Sequence, residues 1–142
     1  MTIEEKNTWA FGIIAALAYL TYAALVLTVL PGDDLVQRPY ATAMLATIGG
    51  AILAGIIAGI LIGVVTGGQR VAKDQRDREI FRLGEHVGQA FVVIGALAAL
   101  LLALVEADHF WIANAVYLCF ALSAVLSALT RILAYRKGVP AW

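Results

Sequence analysis

The chain has 142 residues, of which 62% are hydrophobic and 14% charged, with ten basic and ten acidic side chains and no net charge. An average soluble domain is about 45–50% apolar and about 25% charged, so the composition excludes an ordinary soluble domain, and the length is that of one domain. The lone cysteine, Cys119, excludes an intramolecular disulfide and a CxxC site.

Four runs, 9–30, 40–65, 87–105 and 110–130, contain no Asp, Glu, Lys or Arg. About 20 predominantly apolar residues cross a hydrocarbon core about 30 Å thick at about 1.5 Å each. All four runs are near or above that length, and a chain this small cannot bury four such helices. The sequence predicts an all-α integral membrane protein, a single transmembrane domain over 1–142.

The first run follows "MTIEEKNT" and precedes "PGDD". It is longer than the roughly 7–15 apolar residues of a signal peptide, lacks a basic lead and has no small-x-small cleavage pattern. It reads as a retained anchor.

The second run, "AILAGIIAGILIGVVTGG", spaces Ala51, Gly55, Gly59, Gly63 and Gly67 four residues apart. Small residues at this spacing let helix backbones approach closely in lipid. Gly84, Gly88 and Gly95 on the third helix and Cys119, Ser123, Ser127 and Thr130 on the fourth are matching surfaces. Packing inside the bundle and a homo-oligomer interface both fit these rows.

Between the second and third runs, "AKDQRDREIFRL" has neither Pro nor Gly from Ala72 to Leu83. The third helix is therefore expected to begin about three turns early, as a helical extension over 72–86 that breaks from the second helix at "TGGQR". Asp74–Arg78 has i,i+4 spacing and Glu79–Arg82 i,i+3 spacing, each worth a few tenths of a kcal/mol. The plain reading is a solvated extension. The sharper one is a docking face made by Asp74, Arg76, Asp77, Arg78 and Arg82. Basic residues attract phosphates at about 1 kcal/mol each, but Asp74, Asp77, Glu79 and Glu85 nearly cancel them. The mixed charge suits a cytosolic protein better than lipid, and no direct contact with nucleic acid is expected.

At the start of the third run, "GEHVGQ" gathers Glu85, His86 and Gln89. His is the commonest metal ligand and titrates near neutrality, so a metal, haem or quinone site is one reading; polar contacts at the membrane edge are the other. "EADH" then makes a tight hairpin, whose Glu106, Asp108 and His109, alone or with Asp33 and Asp34, can be read as a weak cation site or as a solvated acidic turn. His86 and His109 fall on opposite faces and cannot ligate one ion. Asn114 is nine positions before Ser123, half a helical rotation away. No ionisable group sits at mid-depth, which argues against a proton-driven transporter. No cofactor is expected.

Charge placement orients the four spans. Lys6, Arg70, Lys73, Arg76, Arg78, Arg82, Arg131, Arg136 and Lys137 fall on one side and Arg38 alone on the other. Basic residues in short loops stay cytoplasmic. With short connections favouring antiparallel neighbours, the expectation is an up-down-up-down bundle in a prokaryotic cell (inner) membrane, both termini cytoplasmic.

"KDQRDREI" at 73–80, two following spans, "DHFWIANA" and the closing "LAYRKG" resemble a family of small prokaryotic multi-pass proteins. Its signature is an Asp-x-Arg-Asp-x-x-Ile run before two spans ending in a Tyr-Arg-Arg/Lys tail. Asp74, Arg76, Asp77 and Ile80 match it, with Gln75 where Glu is usual, and the likeness covers 73–138. The family has no assigned function and supplies no catalytic residue. Its members resemble products encoded beside small helix-turn-helix regulators, which implies a regulatory membrane partner. Two functions are therefore expected: a non-enzymatic bundle whose 70–86 segment docks a cytosolic protein, such as a helix-turn-helix regulator, or a small transporter or exporter subunit working as a homo-oligomer.

Overall fold

The computed structural model describes residues 3–29, 39–66 and 75–138. Gly67, Asp74 and positions 72–74 of the expected extension lie outside the described residues. Four long helices account for nearly all of what is described, and no strand occurs among the described residues. They are α1 (Ile3–Ala24), α2 (Tyr40–Val65), α3 (Gln75–Leu104) and α4 (His109–Lys137). A π-helical turn, Leu25–Val29, continues α1. Each helix is long and apolar enough to cross a membrane, the pattern of a multi-pass membrane protein.

The helices outrun the apolar stretches where their ends carry suitable polar groups. α1 starts at Ile3 with Glu4 and Glu5 in its first turn, where carboxylates face the positive end of the helix dipole. α2 begins after Pro39, which cannot supply the hydrogen-bonding N–H of an earlier turn. It ends where the Thr66 hydroxyl and amide both donate to the Ile62 carbonyl, at 2.6 and 3.1 Å. α4 runs past residue 130 to Arg136 and Lys137 in its last turn and stops at Gly138, whose φ of 91° suits glycine.

The α3–α4 connection is a tight turn. Ala107 N–H donates to the Leu102 carbonyl and Glu106 N–H to the Ala103 carbonyl, the double closure of a Schellman end. Glu106 takes the left-handed position, φ 56°, that glycine usually fills. Asp108 then caps α4 by accepting from Phe110 N–H at 3.1 Å. Two of the three acidic-turn residues thus have backbone work to do.

Packing is sequential around an arc. α3 lies along α4, α4 along α1, and α1 along α2, while α1 and α3 barely touch each other. Gly95 meets Cys119, Gly88 meets Ser123 and Ser127, and Gly84 meets Arg131. The Ser123 hydroxyl also donates to the Gly88 carbonyl at 2.7 Å. Gly12, outside the small-residue rows, lies against Ala128; an added Cβ would stand 2.8 Å from that methyl. On α2, a Cβ at Gly55 would stand 3.1 Å from the Phe11 ring and one at Gly59 4.0 Å, whereas Gly63 has no atom within 4 Å. The α2 row therefore meets α1 over only part of its length.

The main core cluster sits toward the hairpin end. Tyr22, Val26, Ala43, Phe110 and Tyr117 are buried there, with Tyr19 and Tyr40 packed against them. Tyr22 and Tyr117 meet edge to face at 4.9 Å, Tyr40 and Phe110 at 5.1 Å, geometries that add to area burial. Buried tyrosines need partners: Tyr22 donates to Asn114 Oδ1 at 2.6 Å, and the Tyr117 and Thr47 hydroxyls lie 3.1 Å apart. This cluster joins α1, α2 and α4.

Candidate functional site

At the opposite, arginine-rich end, α3 and α4 continue together beyond their apolar runs. Ile80 is 1% exposed. Arg76 donates to the Tyr135 carbonyl at 2.9 Å, and the Tyr135 hydroxyl donates to Asp77 Oδ1 at 3.0 Å. Tyr135 lies past the 110–130 run, and its hydroxyl is held above the usual phenol range, first by burial and then by the bond to Asp77. It stays a neutral donor throughout the physiological range. Arg76 and Asp77, expected on an outward face, are thus engaged with α4. Arg78 and Arg82 are exposed, one turn apart on the remaining face. The expected Glu79–Arg82 pair is replaced: Glu79 accepts from Gln75 at 3.2 Å. Both ends of that bond are exposed, so it adds little.

One helical turn further along α3, Arg131 bridges to Glu85 at 2.8 Å, with side chains 20% and 61% exposed. The Arg131 guanidinium also stacks over Phe81, 4.4 Å from the ring centre, a geometry in which the ring quadrupole favours a cation. The arginine stem fits because Gly84 has no side chain: a Cβ there would fall on it. On the α1 side, Arg136 approaches Glu5 at 3.8 Å and lies over Trp9 at 5.8 Å. The arginines of the α4 tail are therefore fixed by both flanking helices.

Because α1 and α3 stand apart on α4, an open cleft of about 750 Å³ runs between them. Its floor is α4, with Ser123, Ser127 and Arg131; its walls include Phe11 of α1 and Glu85 and Gln89 of α3. Of the three residues expected to cluster, Glu85 and Gln89 line this cleft, while His86 is exposed and does not. Arg131 and the serines belong to the same site, although in the sequence Arg131 stands out only as part of the basic tail and the serines only as a packing row.

At the hairpin end, Glu106 and Asp108 serve the turn itself, Asp33 and Asp34 lie outside the described residues, and among the described residues no three His, Cys, Asp or Glu side chains gather as a metal would require. Asn114 faces Tyr22 on α1, while Ser123 faces Gly88 on α3, so the two do point apart as the half-rotation between them requires.

Chemically, the cleft offers one fixed cation, one accessible carboxylate, an amide and three hydroxyls among apolar side chains. No His is among the described residues that line it. Comparison with family models, curated proteins and solved structures finds no match to this chain.

Proposed function

We propose that the protein is a non-enzymatic, partner-binding integral membrane protein, an up-down-up-down bundle of the prokaryotic cell (inner) membrane with both termini cytoplasmic. Its α3 extension presents Arg78 and Arg82 to a cytosolic protein, for which a helix-turn-helix regulator is one candidate. The observation that carries this reading is the anchoring of the extension: Ile80, Arg76 and Asp77 seat it on α4. A helix held this way keeps two arginines at a fixed spacing and does not have to be ordered when the partner binds, which favours affinity. The antiparallel order is supported by the contacts Gly84–Arg131 and Gly95–Cys119, which match early α3 with late α4. The orientation is supported by nine basic residues against one.

A photo-crosslinking residue at Arg78 tests the docking face in living cells. We expect a discrete adduct with a soluble protein, lost when Arg82→Glu is added. An adduct unaffected by that reversal, or the same adduct from Ile56 on the exposed side of α2, would refute it.

One observation favours a second reading, a small transporter subunit: the polar-floored cleft between α1 and α3. Solute flux in proteoliposomes that Ala124→Trp blocks would favour transport over docking.

A further inference from the structure

The 750 Å³ cleft does not end at its polar mouth. A second, smaller hollow of about 140 Å³ continues it, sharing Val92 and Phe120 and adding Gly95, Ala96, Val116 and Cys119. From Glu85 to Ala96 the two follow α3 for about 16 Å. The first part carries Arg131, Glu85, Gln89 and serine hydroxyls; the second is almost wholly apolar. A polar mouth leading into an apolar slot has the shape of an amphiphile.

The charges narrow the choice of head group. Arg131 and Glu85 are paired, so the mouth is neutral overall. A monoanion drawn to Arg131 meets the Glu85 carboxylate, and a monocation drawn to Glu85 meets the guanidinium. A zwitterion satisfies both, and the exposed Glu85 side chain leaves its carboxylate accessible. The mouth also lies at the basic end of the helices, where the head groups of one leaflet would be.

We propose that the cleft holds one zwitterionic phospholipid of the cytoplasmic leaflet, its phosphate on Arg131, its ammonium on Glu85, and one acyl chain passing Val92 and Phe120 toward Gly95. The proposal rests on the membrane-spanning reading above but not on the docking partner. Ala124 is exposed on the floor of the larger hollow, so a bulky side chain there would occupy the cleft.

The test is native mass spectrometry of the full chain released from detergent after mixing with equimolar phosphatidylethanolamine and phosphatidylglycerol. Wild type should keep one phosphatidylethanolamine, preferred about fivefold over phosphatidylglycerol, the scale of a partly exposed charge contact. Glu85→Gln leaves the Arg131 charge unbalanced and should reverse the preference toward phosphatidylglycerol, a shift that a merely structural role would not produce. Ala124→Trp should lower the adduct at least about fivefold with helical circular dichroism unchanged, while Ile56→Trp on α2 leaves the adduct intact. Equal retention of both lipids by wild type and Glu85→Gln would overturn the proposal. So would an adduct indifferent to Ala124→Trp, which would mark annular lipid only. A dimer that Ala124→Trp splits, with lipid retention unmoved, would assign the cleft to a second copy and also overturn it. A chain that stays in solution without detergent before any lipid is added would remove the membrane reading itself.

Discussion

Glu106 shows how a residue that resembles a ligand can be serving the backbone. A side-chain-bearing residue in the left-handed region costs roughly 1 kcal/mol that glycine avoids, and Glu106 occupies that position because the Schellman closure requires it. Replacing it with glycine should therefore stabilise the chain by up to about 1 kcal/mol. The neighbouring cap should respond in the opposite sense: Asp108→Ala removes the acceptor for Phe110 N–H and should cost about 1 kcal/mol. Thermal melts in detergent, with and without added calcium, check both signs. A calcium-dependent rise in wild type that either variant abolishes would return the turn to a cation site. Residue types at "EADH" could not decide this from sequence, because the deciding fact is a backbone angle.

At the scale of elements, the helices were legible and their pairing was only half so. Apolar length and the absence of charge gave four helices whose described bounds contain nearly all of each expected span. The α3 extension over 72–86 is expected because "AKDQRDREIFRL" lacks a breaker; its first residues lie outside the described ones, and the described helix runs from Gln75. Pairing across the hairpin was readable in principle: counted from residue 107, Gly95 and Cys119 are each 12 positions away, and Glu85 and Arg131 are 22 and 24. That count would have found the Glu85–Arg131 bridge. Nothing comparable links α2 to its neighbour, since the connection before it is longer and Gly rows do not name their partner. The structure puts Phe11 against Gly55 and leaves Gly63 open, so two substitutions in one row should differ. Gly55→Leu forces the Phe11 ring aside and should cost about 1–3 kcal/mol, the usual penalty of overpacking. Gly63→Leu should leave the melting temperature of the monomer unchanged. If Gly63→Leu instead shifts the elution volume, the open part of the row is an interface between copies; equal loss of stability in both variants would contradict the packing described for α2.

For the whole molecule, the remaining question is which end of the arc faces the cytosol, and the two ends differ in more than charge count. One end is closed by the aromatic cluster around Tyr22 and Tyr117 and by a tight turn. The other holds the α3 and α4 extensions, with Arg131 fixed on Glu85 and Phe81, Arg136 on Glu5 and Trp9, and Arg78 and Arg82 exposed. Fixed or not, each of those cations would have to cross the bilayer in the inverted orientation, and at about 2.5–3.5 kcal/mol per arginine at mid-membrane several at once make that route prohibitive during insertion. The proposed orientation therefore makes a sharp prediction with single cysteines in a Cys119→Ala background. In intact spheroplasts, Glu106→Cys should react with a membrane-impermeant maleimide, while Arg78→Cys should stay unlabelled until the membrane is opened. The opposite pattern would place the docking face and the cleft mouth outside the cell, where neither a cytosolic partner nor a lipid of the inner leaflet could reach them. Labelling of both positions in intact spheroplasts would mean that the α3 run between them does not cross the bilayer at all.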